Sequence, residues 1–223
     1  MKKKLGLYIL SYNYSMFLNW ALNSIKAQTL QPDVLIFVDD HSTDNSVQLL
    51  KTNYSDMKFD EVIVNEQNMG CVHSMNMIVK LLGEKYNCDY ICGLSADDTF
   101  HPDYLKKSSN VLQKAPLDVG YTYTWVRRIG DENQLDVHPE WNYDLLMKIP
   151  YIHGSALIKY EAWKAVNGLP DLPKEEDWAM YRAMAQKGWK GLLIPEPLLR
   201  WRKHKLGCRT LGNDKQRGKE ANQ

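Results

Sequence analysis

Residues 34–44 read Val34-Leu-Ile-Phe-Val-Asp-Asp-His-Ser-Thr-Asp44. The first five form a continuous apolar run, the pattern of a strand buried on both faces of a parallel sheet. Two carboxylates follow at once. Ser42 or Thr43 then stands where a helix N-cap belongs, ahead of a helix through Leu49-Leu50. A buried strand that ends on acids and turns into a helix is half of a strand–helix–strand unit. The fold therefore depends on whether the neighbouring segments repeat it.

They do. Upstream, residues 5–10 are an apolar strand that stops at Ser11-Tyr12-Asn13. Residues 16–27 follow with Phe17, Trp20, Ala21, Ser24 and Ile25 at helical spacing. Downstream come a short strand at 61–64, a helix at 71–82, a strand at 90–94 and a helix from Pro102 to about Lys114. Strand and helix alternating at this interval predict an α/β fold, a parallel sheet flanked by helices. Residues 118–126 predict a further strand, 127–150 a loop-rich insertion over the site, and 151–158 another strand. A helix is expected over 176–187, stopped by Gly188. A last strand-like run spans 190–194, before Pro195 and Pro197. No repeat or internal linker interrupts this, so a single domain is expected over 1–204, its halves 1–115 and 116–204, with a basic tail at 205–223.

Composition sets the outer limits. Hydrophobic residues are 44% and charged residues 25% of the 223-residue chain, within the globular range. No apolar run approaches the roughly 18 residues of a membrane span. The basic start Met1-Lys-Lys-Lys4 leads into a mixed strand without a cleavage pattern, so a cytoplasmic protein is expected, with peripheral contact at a membrane surface as the one alternative. Cys71, Cys88, Cys92 and Cys208 form no CxxC pair and read as reduced, packed thiols. From Arg200 onward eight basic residues meet two acids, against 20 basic and 25 acidic residues before it. That end is either a solvated terminus or an electropositive surface for a diphosphate, a nucleic acid or an anionic membrane.

The chemistry collects at strand ends. In open parallel sheets ligands sit beyond the carboxyl ends of the strands. Here those ends carry Ser11-Tyr12-Asn13, Asp39-Asp40 and Ser95-Ala96-Asp97-Asp98. Each acidic pair alone could merely cap the following helix; two of them on one sheet edge, with an aromatic residue at a third, point to a site. No glycine-rich phosphate loop follows the first strand. Clustered carboxylates repel a diphosphate unless a hard divalent cation lies between, and Mg²⁺ or Mn²⁺ prefers such oxygen ligands.

With these residues in view the chain resembles the family 2 glycosyltransferases, inverting enzymes with the GT-A fold. The resemblance runs in order through Leu7-Tyr-Ile-Leu-Ser-Tyr-Asn13, Phe37-Val-Asp-Asp-His-Ser-Thr-Asp44 and Asn68-Met-Gly70 with Asn76. It continues through Leu94-Ser-Ala-Asp-Asp98 with Pro102, Glu176-Asp177-Trp178 with Arg182, and Trp201-Arg-Lys-His204. It implies a mostly parallel Rossmann-like sheet and a nucleotide-diphosphate sugar donor, with Mn²⁺ or Mg²⁺ as cofactor. It implies that Tyr12 stacks on the base, and that Asp40 accepts from a base ring N–H, which suits uracil or thymine. Ser11, Asn13, Asp39, Asn68, Gly70, Ser95, Ala96 and Arg202 would complete the donor site. Asp97, with Asp98 and His204, would hold the metal, and Asp177, beside Glu176, would be the general base that deprotonates the acceptor hydroxyl. Ser95 stands where the family carries the first acid of its Asp-x-Asp, and Leu10 where it usually has proline.

Glu175-Glu176-Asp177 also has a plain structural reading, since acids are favoured at a helix N-terminus. Trp125, Trp141 and Trp178 are candidate sugar platforms, and His153 begins a strand near the acceptor side. Two competing readings remain: a nucleotidyltransferase, against which Ser11-Tyr-Asn-Tyr-Ser15 offers neither glycine nor lysine for a triphosphate, and a catalytically weak sugar-nucleotide or glycan-binding module, which Ser95 favours. The acceptor is expected to be a glycan or lipid-linked saccharide, with protein or modified nucleic acid as lesser options.

Overall fold

A computed structural model describes residues 3–172 and 174–205. The residues after Lys205, with Cys208 and nearly all of the basic tail, lie outside them. Four strands form the parallel half expected from the sequence: β1 (Leu5–Ser11), β2 (Val34–Asp39), β3 (Glu61–Val64) and β4 (Tyr90–Ser95). They stand in the order β3-β2-β1-β4, and all three pairings are parallel. Between them run α1 (Ser15–Lys26), α2 (Ser46–Asn53) and α3 (Cys71–Glu84).

Beyond β4 come β5 (Thr99–Phe100), α4 (Tyr104–Lys114), β6 (Val119–Gly130), β7 (Gln134–Asp136) and α5 (Tyr143–Leu146). The chain then continues through β8 (Leu157–Lys159), α6 (Tyr160–Ala165), α7 (Glu176–Gln186) and β9 (Lys190–Lys203). The sheet runs β3-β2-β1-β4-β8-β6-β9-β5, with β7 on β6. β8 is antiparallel to both β4 and β6, whereas β6 and β9 are parallel. The α/β expectation holds, with antiparallel pairings confined to the second half.

Buried side chains form clusters on both faces. One gathers Leu7, Ile9, Phe37 and Leu94 against α1 and α4; the other gathers Ile36, Val38 and Ile158 against α3, α6 and α7. Val34 through Val38 are all buried, as their unbroken apolar run requires. Among the described residues no helix is long and apolar enough to cross a membrane.

Four expectations need correction. First, α2 starts at Ser46, and Ser42 and Thr43 do not cap it. Ser42 gives its N–H and hydroxyl to Asp39 at 2.7 and 2.6 Å, and Asp44 Oδ1 takes the N–H and hydroxyl of Ser46. Second, residues 127–150 are only partly loop. β6 runs on to Gly130, returns through β7, and is followed by α5. Third, only 157–158 of the stretch 151–158 are strand, and β8 runs one residue further to Lys159. The carbonyls of His153 and Ser155 are taken by the hydroxyls of Tyr181 and Tyr104, which removes them from any ladder. Fourth, Pro195 and Pro197 do not end the last strand. The β6–β9 register slips between Thr124 and Val126, opposite Ile194 to Leu199, and this irregularity accommodates two residues without N–H donors.

Cys88 and Cys92 are packed thiols, whereas Cys71 is only half-buried and lies on the wall of a cleft. Burial pushes Cys88 up to about 11 and Cys92 up to about 12, so neither is a thiolate near neutrality. At pH 8 in the native protein, Cys88 and Cys92 are expected to resist alkylation by iodoacetamide and to react only after denaturation. Peptide mapping by mass spectrometry reads the outcome, and equal labelling before and after denaturation would contradict the burial.

Candidate active site

A continuous cleft of about 1690 Å³ opens at the carboxyl ends of β1 and β4. Tyr12, Asp40, Asn68, Gly70, Ser95, Asp97, Asp98, Glu176, Asp177, Arg202 and His204, all expected from the sequence, lie on its wall. Strand alternation decides which neighbours do not. Tyr8, Leu10 and Tyr12 share the cleft face of β1 and its continuation, whereas Ser11 is buried without reaching the wall. Asn13, Asp39 and Ala96 are also off the wall. Asn13, at φ 56°, accepts the Thr43 N–H at 2.8 Å and donates its own N–H to Ser42. Asp39 spends both oxygens on Ser42, and burial raises its pKa against those hydrogen bonds. These residues shape the rim on which Tyr12 is carried.

Asp40 is the hub of the side of the cleft next to α3. Its Oδ1 accepts from Asn65 Nδ2 at 2.7 Å, the Met69 N–H at 2.8 Å and Ser74 Oγ at 3.1 Å. Its Oδ2 accepts the Gly70 N–H at 2.9 Å, and its carbonyl accepts from Asn68 Nδ2. One carboxylate thus fixes the 68–70 turn that leads into α3. Gly70 makes that turn at φ 86°, where a residue with a Cβ is strained.

Opposite α3 stands the β4–β9 corner. Asp98 Oδ1 accepts the Arg202 N–H at 2.8 Å, and the Arg202 Nε donates to the Asp97 carbonyl at 3.0 Å. The guanidinium carbon lies 5.0 Å from the Phe17 ring centre and 4.7 Å from that of Trp20, within cation–π range. His204 Nε2 lies 3.0 Å from Asp97 Oδ2, while Asp97 Oδ1 is buried without a hydrogen-bond partner. Burial, and after it the neighbouring Asp97 charge, hold Asp98 well above the usual carboxylate range.

A hard cation fits part of this set. The partnerless Asp97 oxygen and the His204 imidazole supply two donors of the kind Mn²⁺ and Mg²⁺ accept, with diphosphate oxygens to add to them. Asp98, expected as a further ligand, has one oxygen on the Arg202 amide. Among the described residues no three His, Cys, Asp or Glu side chains converge as a metal cluster.

A third side is built by α7 and the 153–155 segment. Glu175 enters α7 at φ 61°, and Asp177 in the first turn accepts the Trp178 N–H at 2.8 Å. A Cβ on Gly154 would lie 3.3 Å from Asp177 Oδ2, so the glycine leaves the carboxylate its place. His153, on the cleft wall, sets its ring 5.3 Å from that of Trp201, and its Nδ1 accepts the Ser155 N–H at 3.2 Å. Trp125, Trp141 and Trp178 are not on the wall; each gives its indole N–H inside the protein, to His138 O, Tyr121 Oη and Leu146 O. Trp201 is the tryptophan beside His153 on that side. Sequence reasoning also passed over Asn65, a polar residue at the end of β3 that the strand-end rule would have flagged, and Gly154, for which no local signal exists.

A sheet flanked by helices on both faces, with a strand-end cleft, an acidic corner and a separate acid at a helix start, is the arrangement of α/β folds whose ligands sit beyond the strand ends. The profile of glycosyl transferase family 2 matches residues 7–166, and the chain belongs to that family. It is 24% identical to chondroitin synthase of Escherichia coli over 191 residues, covering 82% of this chain and 26% of that protein. It is 31% identical to an uncharacterized glycosyltransferase of Nostoc sp. over 116 residues, covering 51% of this chain and 34% of that one. The chain therefore spans about a quarter to a third of the length of these two relatives. The structure of S. aureus TarS 1–349 in complex with UDP-GlcNAc superposes with a TM-score of 0.75 at 15% identity, covering 93% of this chain and 60% of that one. The mannosyltransferase PcManGT of Pyrobaculum calidifontis, in complex with GDP-Man and Mn²⁺, gives 0.69 at 20% identity, covering 93% and 59%. At these identities both likenesses speak for the GT-A fold.

Removing the Asp40 carboxylate strands two backbone N–H groups and two side-chain donors. Asp40→Ala is expected to lower unfolding stability by about 3 kcal/mol, measured by urea denaturation. A change below about 0.5 kcal/mol would show that the 68–70 turn does not depend on it.

Proposed function

We propose that the chain transfers a sugar from a nucleotide-diphosphate donor, UDP- or dTDP-linked, to a hydroxyl acceptor with inversion at the anomeric carbon. The observation that carries this reading is a division of labour within one cleft. Asp97, with its partnerless oxygen, sits beside His204 and Arg202, and Asp177 sits apart from it against Gly154. A diphosphate site and an acceptor-activating acid need that separation.

On the donor side Tyr12 offers its ring to the base. Asp40 Oδ2 takes only one internal hydrogen bond, which leaves a lone pair for a base N–H. Asn68 and Gly70 border the same region, and the Ser95 hydroxyl stands where a ribose can meet it. Arg202, anchored through Nε, turns its remaining N–H groups to the phosphates. Asp97 and His204 would hold Mn²⁺ or Mg²⁺, which when bound neutralises charge on the leaving diphosphate. Asp177 takes the proton from the acceptor hydroxyl as that oxygen bonds to the anomeric carbon. The bond from that carbon to the diphosphate oxygen breaks on the opposite face, and the nucleoside diphosphate departs. Glu176 lies on the wall beside it and adds negative potential. The UDP-GlcNAc of TarS supports a uridine donor, and the GDP-Man and Mn²⁺ of PcManGT support a divalent ion.

Two measurements test this. UDP with Mn²⁺ at about a hundredfold excess over its dissociation constant is expected to raise the melting temperature by about 5–10 °C. Asp97→Ala is expected to lose that response, and an equal response in both proteins would remove the metal assignment. Asp177→Asn is expected to slow transfer by about 10²–10⁴ with the nucleotide response intact. An undiminished rate would remove Asp177 as the base, and nucleotide binding without any transfer by the wild type would favour a binding module.

A further inference from the structure

The cleft holds more space than one nucleotide sugar needs. Its 1690 Å³ exceeds the roughly 300–1,000 Å³ of ordinary small-ligand pockets. The surplus follows the sheet surface between α3 on one side and α6 and α7 on the other. Its floor is Tyr8 of β1 with Ile91 and Gly93 of β4, and Ile158 of β8 continues it. Tyr8 and Gly93 are register partners. A Cβ on Gly93 would lie 2.3 Å from both Cζ and the hydroxyl oxygen of Tyr8, so the phenol lies flat across a glycine that leaves room for it.

Walls and ends are equally defined. Val72, Met75 and Val79 of α3 face the cavity from one side, Trp163 and Met180 from the other. Asn76 bridges the two sides, donating from Nδ2 to the Leu169 carbonyl at 2.8 Å and accepting the Leu169 N–H at 2.9 Å. At the far end the Tyr160 ring lies against Gly83, where a Cβ would come within 2.2 Å of it. The space is an apolar channel, bridged by a side-chain-to-backbone clamp and continuous with the cleft that holds Ser95 and Asp177.

Two aromatic donors stand on this lining. Tyr8 is 6% exposed, with its phenol on the channel floor. The Trp163 indole N–H is buried without a partner. Buried donors are normally paired, so an unpaired one on the channel marks it as a place a ligand completes. The apolar walls exclude a free sugar or a second nucleotide, whose hydroxyls and charges would go unmatched there.

We propose that this channel receives the hydrocarbon part of the acceptor, which is therefore an amphipathic, lipid-linked saccharide: its hydroxyl meets Asp177, and the oxygen joining head to chain accepts from Tyr8 Oη. The proposal rests on the transfer reading for the role of Asp177, but the channel is tested by binding alone. Methionine at Met75 suits such an occupant, because its flexible thioether conforms to an aliphatic chain.

The test is calorimetric titration of the protein, in UDP and Mn²⁺, with n-octyl and methyl β-D-glucopyranoside below the micellar concentration. The octyl compound is expected to bind at least about tenfold more tightly, since each buried methylene contributes about 0.8 kcal/mol. Met75→Trp, which fills the channel, is expected to abolish the octyl advantage and leave the UDP–Mn²⁺ melting response unchanged. Tyr8→Phe is expected to weaken the octyl compound by about threefold or more. Equal affinities for the two glycosides in the wild type would overturn the proposal. An octyl advantage that survives in Met75→Trp would do so too, because it would place the detergent on the surface. Neither result touches the donor site, whose failure shows separately in the UDP–Mn²⁺ response.

Discussion

The cleft depends on one joint, the attachment of the end of β9 to the end of β4. Asp98 accepts the Arg202 amide, Arg202 returns a hydrogen bond to the Asp97 carbonyl, and His204 reaches Asp97 itself. Two segments more than a hundred residues apart are joined by three contacts within one short stretch. The joint explains why burial of Asp98 is tolerated: its carboxyl is a structural acceptor, held well above its ordinary range by burial and by Asp97. It also holds Arg202 over the Phe17 and Trp20 rings. Without it the Asp97 side of the cleft would lose the part of its wall that β9 supplies.

The second fixed point is Asp40, which does for the α3 side of the cleft what the β4–β9 joint does for the Asp97 side. Four donors from three segments converge on it. A carboxylate at a strand end can serve a ligand, a helix or a turn, and here most of its capacity goes to the turn. The pair Asp39-Asp40 thus divides: the first residue is turned inward to Ser42, the second stands on the cleft.

How far the sequence could be read follows from the same physics. Regular alternation made the first half legible, because a strand buried on both faces must be an unbroken apolar run and α1 must repeat at helical spacing. The second half departed wherever long-range contacts outweighed local pattern. Tyr151 and Ile152 are strand-forming residues, yet the hydroxyls of Tyr181 and Tyr104 claim the carbonyls of His153 and Ser155 just after them. Pro195 and Pro197 look like a stop, yet the paired strand β6 slips its register around them. For the site, residue types at strand ends brought Asp40 and Asp97 forward and the family resemblance added Asp177, and the structure sets all three on one cleft; neither signal could say which side of a strand each neighbour would face. Ser11 and Asp39 were named with the donor site for their position and are turned away from it. Gly154 carries no mark of its function, because its contribution is the space it leaves beside Asp177.

The long pairing of β6 with β9 also has a consequence in time. β1 to β4, with the Asp40 turn between them, are synthesised first and can begin to pack from contacts close in sequence, whereas Arg202 and His204 emerge only after every other described element. A growing chain can therefore form the Asp40 side of its cleft well before the Arg202 side exists. On the proposed donor assignment, affinity for the nucleotide sugar would arrive late in synthesis, when the fold closes. Once β9 is seated, a bound diphosphate would bridge the earliest and latest parts of the chain, and it would hold the finished sheet together by mass action.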